Sequence, residues 1–172
     1  MNWTVDTRHS HVGFSVKHMG LMNVRGEFND ITGTIVANDK EEFVSADITI
    51  GVDSIDTRDA ERDVHLKNED FFNVSRHPHM KFRSTSITKE SDSEYLVKGE
   101  FTLLGVTKPL EFTLVKTDSI KGMFGETRMA IEIDGQIDRQ EYGMKYHQLA
   151  DNGGLLVGNK VKLNIECELV QG

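Results

Sequence analysis

The chain is poor in the residues that staple or interrupt a fold. It has one cysteine, Cys167, and two prolines, Pro78 and Pro109, among 172 residues. A single thiol excludes an intramolecular disulfide and suits a reducing compartment. With two prolines and no low-complexity stretch there is no linker, so 1–172 is expected to be one domain, long enough to bury about 70% of its unfolded surface. Long apolar runs are also missing. None approaches the roughly 20 residues of a membrane-spanning helix, and the opening MNWTVDTRHS has no basic-then-apolar leader pattern, so the expected location is cytoplasmic. Positive charge is scarce: 20 Lys and Arg face 28 Asp and Glu, for a net charge of −8 and a pI near 5.3. That balance argues against a nucleic-acid partner and disfavours docking on an anionic membrane surface. There is no G-x-S-x-G elbow, phosphate loop or zinc-protease motif. His9 and Ser10 are sequential, so on a strand they point to opposite faces and cannot form a nucleophile–base pair.

What is present is alternation with period two in a chain that is 37% hydrophobic, with nine Phe and seven Met. Val12, Phe14 and Val16 share a face. So do Val44, Ala46, Ile48, Ile50 and Val52, then Met80 and Phe82, and then Tyr95, Val97, Gly99, Phe101 and Leu103. A turn at Gly105–Pro109 leads to Leu110, Phe112 and Leu114. Met129, Ile131 and Ile133 follow, and Val161, Leu163, Ile165, Cys167 and Leu169 close the chain. Val24 to Val36 is broken by Gly26 and Gly33. About eight strands, each polar on one side, predict an all-β fold: an antiparallel eight-stranded barrel, which buries every such face and abolishes edges. A sandwich is the competing arrangement.

One stretch, Asp53 to Phe72, reads as helical. Thr57 is placed as its cap, Asp63 and Lys67 pair four residues apart, and Ala60, Val64 and Phe71 fall on one arc with Arg58, Arg62, His65 and Glu69 opposite. This is the expected short covering helix of the barrel. Thr117–Glu126 reads as a loop. Asp138–Asn159, with Arg139, Tyr142, Met144, Tyr146 and His147, is too long and too aromatic for a bare connection and is read as covering a barrel mouth.

Several pieces, in order, resemble the YceI-like family: Trp3-Thr4-Val5-Asp6 with His9-Ser10, Val12, Phe14 and His18; Val24-Arg25-Gly26-Glu27-Phe28; Asp53-Ser54-Ile55-Asp56-Thr57; Arg62 to Lys67 with Asp70-Phe71-Phe72; Pro78 to Phe82; Gly105 to Pro109; Arg139 to Tyr142-Gly143-Met144; and Glu166-Cys167-Glu168-Leu169. The resemblance implies a lipocalin-like barrel, partly covered by a helix, whose elongated apolar interior can hold a polyisoprenoid or another long-chain lipid.

The residues expected to line that interior are Phe14 and Val16, Ile48 and Ile50, Phe82, and Phe101 and Leu103. Phe112 and Leu114, Met129 and Ile131, and Leu163 and Ile165 complete the set. For any one of them an ordinary packed core is an equal reading, because an eight-stranded barrel is either just filled or just wide enough for one small ligand. The interior is expected to be hollow from end to end. A polar head is expected at Arg62, His65, Arg139 and Tyr142, since arginine offers phosphate a planar fork of donors. The pairs His9/His11 and His77/His79 could each share a strand face, but no third ligand is named by the sequence, so no metal is expected. The resulting expectation is a protein that binds and sequesters or transports a long apolar ligand without a cofactor. A small enzyme acting on a lipid head through Arg62, Asp63 and His65 is one alternative. A non-binding dimeric scaffold is the other, and a homodimer stays open in either case.

Overall fold

A computed structural model describes residues 1–146 and 157–172. Its strands are β1 Asn2–His18, β2 Met22–Phe28, β3 Ile31–Ala37, β4 Phe43–Gly51, β5 Ile55–Asp56, β6 His79–Lys89, β7 Glu94–Leu103, β8 Val106–Lys116, β9 Ile120–Lys121, β10 Thr127–Asp138 and β11 Val157–Gln171. The α-helix among the described residues is α1, Ala60–Lys67, and 3-10 turns occupy Val52–Ser54 and Arg139–Tyr142. Eight strands close an antiparallel barrel in the order β1-β3-β4-β6-β7-β8-β10-β11, with β11 returning to β1. β2 and β5 form a wing on β1, and β9 pairs with the start of β10.

The closing seam carries the main irregularity. Asp6 of β1 lies opposite Glu168 of β11, but the next paired residue, Ser10, lies opposite Cys167, so residues 7–9 bulge out. The bulge lets one strand serve different neighbours: Asn2–Thr4 pairs with β3, and Val12–His18 pairs with β2. Asp6 organises it. Its carboxylate accepts from the Arg8 backbone N–H at 3.1 Å and from Arg128 at 2.8 Å, with His9 Nδ1 at 3.0 Å. Ser10 Oγ donates to the Asp6 carbonyl at 2.7 Å, and Thr7 Oγ1 donates to the Ile31 carbonyl at 2.6 Å, tying the bulge to the start of β3. Arg128 also reaches Glu168 at 2.9 Å and Glu126 at 2.8 Å.

Three sequence expectations are corrected here. Val44 does not face inward. β4 carries an extra residue between the pairs Val36–Ser45 and Ala37–Phe43, which turns Val44 out to 57% exposure and turns Phe43 in against Tyr95, ring centroids 5.2 Å apart. The β7–β8 turn is Leu104–Gly105, both at positive φ, rather than Gly105–Pro109. Pro109 lies within β8, opposite Glu100, in the part of that strand not paired with β10; the β8–β10 ladder runs only between Thr113–Lys116 and Ile131–Asp134. A residue without an N–H is tolerated where the ladder is absent. Within Thr117–Glu126, read as a loop, Ile120–Lys121 forms β9.

The helix is shorter than its sequence signal and faces the other way. Asp59, not Thr57, caps it, accepting from the Arg62 backbone N–H at 3.1 Å. Thr57 is buried. Its hydroxyl donates to Asp63 and accepts from Arg62 Nε at 2.8 Å, and Arg62 Nη2 donates to the Thr57 carbonyl at 2.6 Å. Asp63 is thus held by Thr57, and Lys67 lies 3.5 Å from Asp53 instead. With the anchor on the 62/63 side, Leu66 turns toward the barrel while Val64 is 70% exposed and Ala60 is exposed. Phe71 lies beyond the helix. The chain folds back so that the Phe72 and Val74 N–H groups cap the Leu66 and Lys67 carbonyls, at 2.9 and 3.0 Å, which brings Phe71 and Phe72 beneath α1.

The Asp6 carboxyl is held down from 3.8 to about 2, chiefly by Arg128 and then by His9. A depressed carboxyl contributes stability that is full above its unfolded value and is lost as the pH falls through its folded one. Asp6→Asn is therefore expected to be less stable than the parent near neutrality, with the gap shrinking between about pH 4 and about pH 2. Urea titrations across that window check this, and a gap independent of pH would remove Asp6 from the role.

Candidate functional site

The interior is hollow at one end only. At the other, Trp3, Tyr95, Met129 and Leu169, each no more than 2% exposed, pack into a solid floor. This corrects the expectation of a barrel open along its whole length. Above the floor lies a cavity of about 160 Å³, roughly ten times the space one water needs. Its wall is apolar throughout except for Arg139, and every barrel strand contributes to it.

Ring packing shapes the wall. Phe14 and Phe28 lie 5.4 Å apart, Phe28 and Phe72 5.6 Å, and Phe82 and Phe112 5.0 Å. Gly99 faces inward on β7, and a Cβ there would sit 2.5 Å from the Phe82 ring, so glycine lets that ring lie across the neighbouring strand. The lid end is built by Leu66 of α1, by Phe71 and Phe72, and by Met144. Where β8 and β10 part, half-buried Leu110, Phe112 and Ile137 line the wall, and the Arg139–Tyr142 turn packs against β8 and β11.

Of the residues expected inside, Phe14, Val16, Ile48, Ile50, Phe82, Phe101, Leu103, Phe112, Leu114, Ile131, Leu163 and Ile165 lie on the cavity wall. Met129 does not; it belongs to the floor. Among the many wall residues missed by that reading are Phe28, Ala46, Leu66, Phe72 and Cys167. Leu66 was legible: placing the cap at Asp59 puts Arg62, Asp63 and Leu66 on one side of α1. Cys167 lies on the wall, and burial pushes its thiol above the usual range.

The expected head-group residues are not brought together. Arg62 is spent on Thr57. His65 lies 2.8 Å from Asp70 and packs edge-on against Phe71 and Tyr146, away from the wall. Tyr142 is buried against Phe101 at 5.6 Å, and burial pushes its phenol up. With Asp63 on Thr57 and His65 on Asp70, no acid–base pair faces the cavity from α1. Arg139 does reach the wall, 2% exposed; its guanidinium donates to the carbonyls of Gly158, Met144 and Val157, at 2.9, 3.0 and 3.4 Å. It clamps the start of β11 to the chain after the 3-10 turn. Burial lowers its proton affinity, but a guanidinium stays charged. His147 and the rest of 147–156 lie outside the described residues. Of the histidine pairs, His9 meets Asp6, His11 lies 2.6 Å from Glu27, and His77 packs beside Gly105. Asp6, His9 and Glu168 cluster closely, with the Arg128 guanidinium bonded to both carboxylates.

A closed antiparallel β-barrel with a solid floor, a helical lid and an apolar hollow between them defines a lipocalin-like architecture. The pattern described as "YceI-like domain" matches residues 3–169, and the chain belongs to that family. Protein YceI of Escherichia coli O157:H7 is 34% identical over 139 residues, covering 80% of this chain and 72% of that one. Among solved structures, BcnA of Burkholderia cenocepacia superposes with a TM-score of 0.82 at 19% identity, covering 95% of this chain and 98% of its own. A polyisoprenoid binding domain from Saccharophagus degradans, implicated in plant cell wall breakdown, superposes at 0.72 with 12% identity over 99% and 98% of the two chains. At those identities the two structures speak for the fold alone.

Removing the Arg139 clamp leaves three carbonyls without their donor. Arg139→Met is expected to lower unfolding free energy by about 3 kcal/mol. Arg139→Lys should recover only part of it, because one ammonium cannot span all three acceptors. Denaturant titration of both variants checks the ranking, and full rescue by lysine would contradict it.

Proposed function

We propose that this protein binds and shields a long apolar chain, a polyisoprenoid or a related lipid, inside the barrel, for sequestration or transport. The observation that carries the reading is the hollow itself, a cavity of about 160 Å³ with an apolar wall above a packed floor. Each buried methylene contributes about 0.8 kcal/mol, so an acyl or prenyl tail binds well with no polar contact. Methionine and aliphatic side chains on the wall adapt to branching, and chain length and shape then set selectivity. The choice of ligand class follows from the apolar wall and from what the resemblance to the YceI-like family implies. The head of the cargo is assigned to the lid end, where Arg139 is the charged residue on the wall. No reaction is assigned: the α1 groups that could move a proton are engaged elsewhere, away from the cavity.

Geranylgeraniol and a long-chain fatty acid, offered in detergent micelles and read by native mass spectrometry, test this. Uptake of either is expected at one molecule per chain. Ala46 lies on the wall with room before it, so Ala46→Phe fills the hollow and should abolish uptake while leaving the far-ultraviolet circular dichroism unchanged. Failure of the parent protein to take up either chain, or undiminished uptake by Ala46→Phe, would refute the carrier reading.

A further inference from the structure

The β1–β2 turn carries apolar side chains where a turn normally carries polar ones. Met19, Leu21 and Met22 are 46%, 75% and 73% exposed, and the turn is shaped by positive φ at Met19 and Gly20. It belongs to the lid end of the barrel. Val16, two residues before His18 ends β1, lies on the cavity wall and pairs with Val161, which lies there too. Near this end the outer face of the same strands carries four basic side chains. Lys17 and Arg25 project from β1 and β2, Lys162 from β11, and Arg58 from the loop before α1. Arg25, Arg58 and Lys162 border one shallow groove floored by Gly13 and Gly26.

Two carboxylates share the groove with three basic side chains and reduce its positive charge without cancelling it. Glu27 lies 2.6 Å from His11, and Asp56 accepts the Arg58 backbone N–H at 2.9 Å. None of the four basic side chains is paired with an acidic group among the described residues; Lys160, further along β11, lies opposite Asp138, whose carboxylate accepts the Gln140 N–H at 2.9 Å. The acidic net charge of the whole chain does not cancel this strip, because fields of exposed charges fade over about 8–10 Å at ordinary salt.

We propose that the β1–β2 turn and this strip form a docking edge for an anionic lipid bilayer. Met19, Leu21 and Met22 enter the boundary between headgroups and acyl chains, while Lys17, Arg25, Arg58 and Lys162 lie over lipid phosphates. The apolar tip with basic stems beside it is the pattern of an interfacial anchor, here built from a hairpin. Docked this way, the lid end of the cavity meets the membrane, and a lipid passes between bilayer and barrel with little exposure to water. That use rests on the carrier reading; the docking itself does not.

Co-sedimentation with phosphatidylcholine vesicles, with and without phosphatidylglycerol, tests it, alongside lipid uptake from micelles. Binding is expected only to the anionic vesicles and should weaken as salt rises. The double variant Lys17→Gln/Lys162→Gln should weaken it about fivefold per lysine, and Leu21→Ser/Met22→Ser at least about tenfold. All four positions are exposed, so folding should be retained, which circular dichroism verifies. Equal binding to neutral vesicles, or binding indifferent to both variants, would overturn docking. So would a tip variant that alters only self-association of the free protein, seen by light scattering. Uptake from micelles without vesicle binding would overturn docking alone, whereas vesicle binding without uptake would leave docking standing and remove the cargo.

Discussion

The fold depends on β1 and β11, at opposite ends of the sequence, closing the sheet on itself. Without that seam the remaining strands form an open sheet with long unpaired edges, which invites association with other chains. β1 can close the barrel only by changing partners partway along, from β3 to β2, and the residues 7–9 bulge is where it changes. Asp6 holds the bulge by drawing backbone N–H, imidazole and guanidinium onto one carboxylate. The consequence reaches the site. The wing of β2 and β5 hangs from the C-terminal half of β1, and α1 is tied to that wing through Thr57, so the lid's position follows from the bulge.

A hollow interior is unfavourable for stability. Atoms facing a void lose dispersion partners, and cavity data scale to an order of several kcal/mol for a space of this size. Domains of this length have enough apolar side chains to fill such a gap, and in this chain the floor shows it being done, with Trp3, Tyr95, Met129 and Leu169 in close packing. The difference between the two ends is therefore a matter of side-chain choice. Larger residues at Ala46 or Val97 would close the space with no change of backbone. A cavity retained against that gain points to something that occupies it.

Much of the wall was legible in the sequence because strand faces obey a period of two, and inward positions follow once the strands are found. The departures have local causes that periodicity does not encode. Val44 is displaced by an inserted residue, and Met129 keeps the right face but lies too near the floor to meet the hollow. The face of α1 was misread because two turns are too few for the apolar arc to decide orientation; a buried polar anchor between Thr57, Arg62 and Asp63 decided it instead. Arg139 lies on the cavity wall, but three backbone acceptors gathered around one guanidinium depend on how 144, 157 and 158 meet in space. Pro109 is a readable signal. A proline inside an alternating strand marks an edge, and here the edge lies where β8 leaves β10.

The two ends of the barrel divide the work of holding a greasy molecule in water. A packed floor gives no way through, so cargo must pass at the lid end, the end that carries α1, the Arg139–Tyr142 turn and the β1–β2 turn. That end needs enough apolar surface to receive a hydrocarbon chain, yet exposed apolar surface drives association. The molecule reconciles these demands by dispersing the surface. Leu66, Phe71 and Phe72 are turned inward under a helix held by hydrogen bonds, while the large apolar residues exposed at this end among the described residues are Val64 on the outer side of α1 and Met19, Leu21 and Met22 in a short turn flanked by lysine and arginine. The rest of the surface keeps the acidic character that sets the net charge at −8. Like charge over most of the molecule keeps copies apart, and a local reversal of sign beside the apolar tip marks an edge where approach to an anionic surface is less opposed.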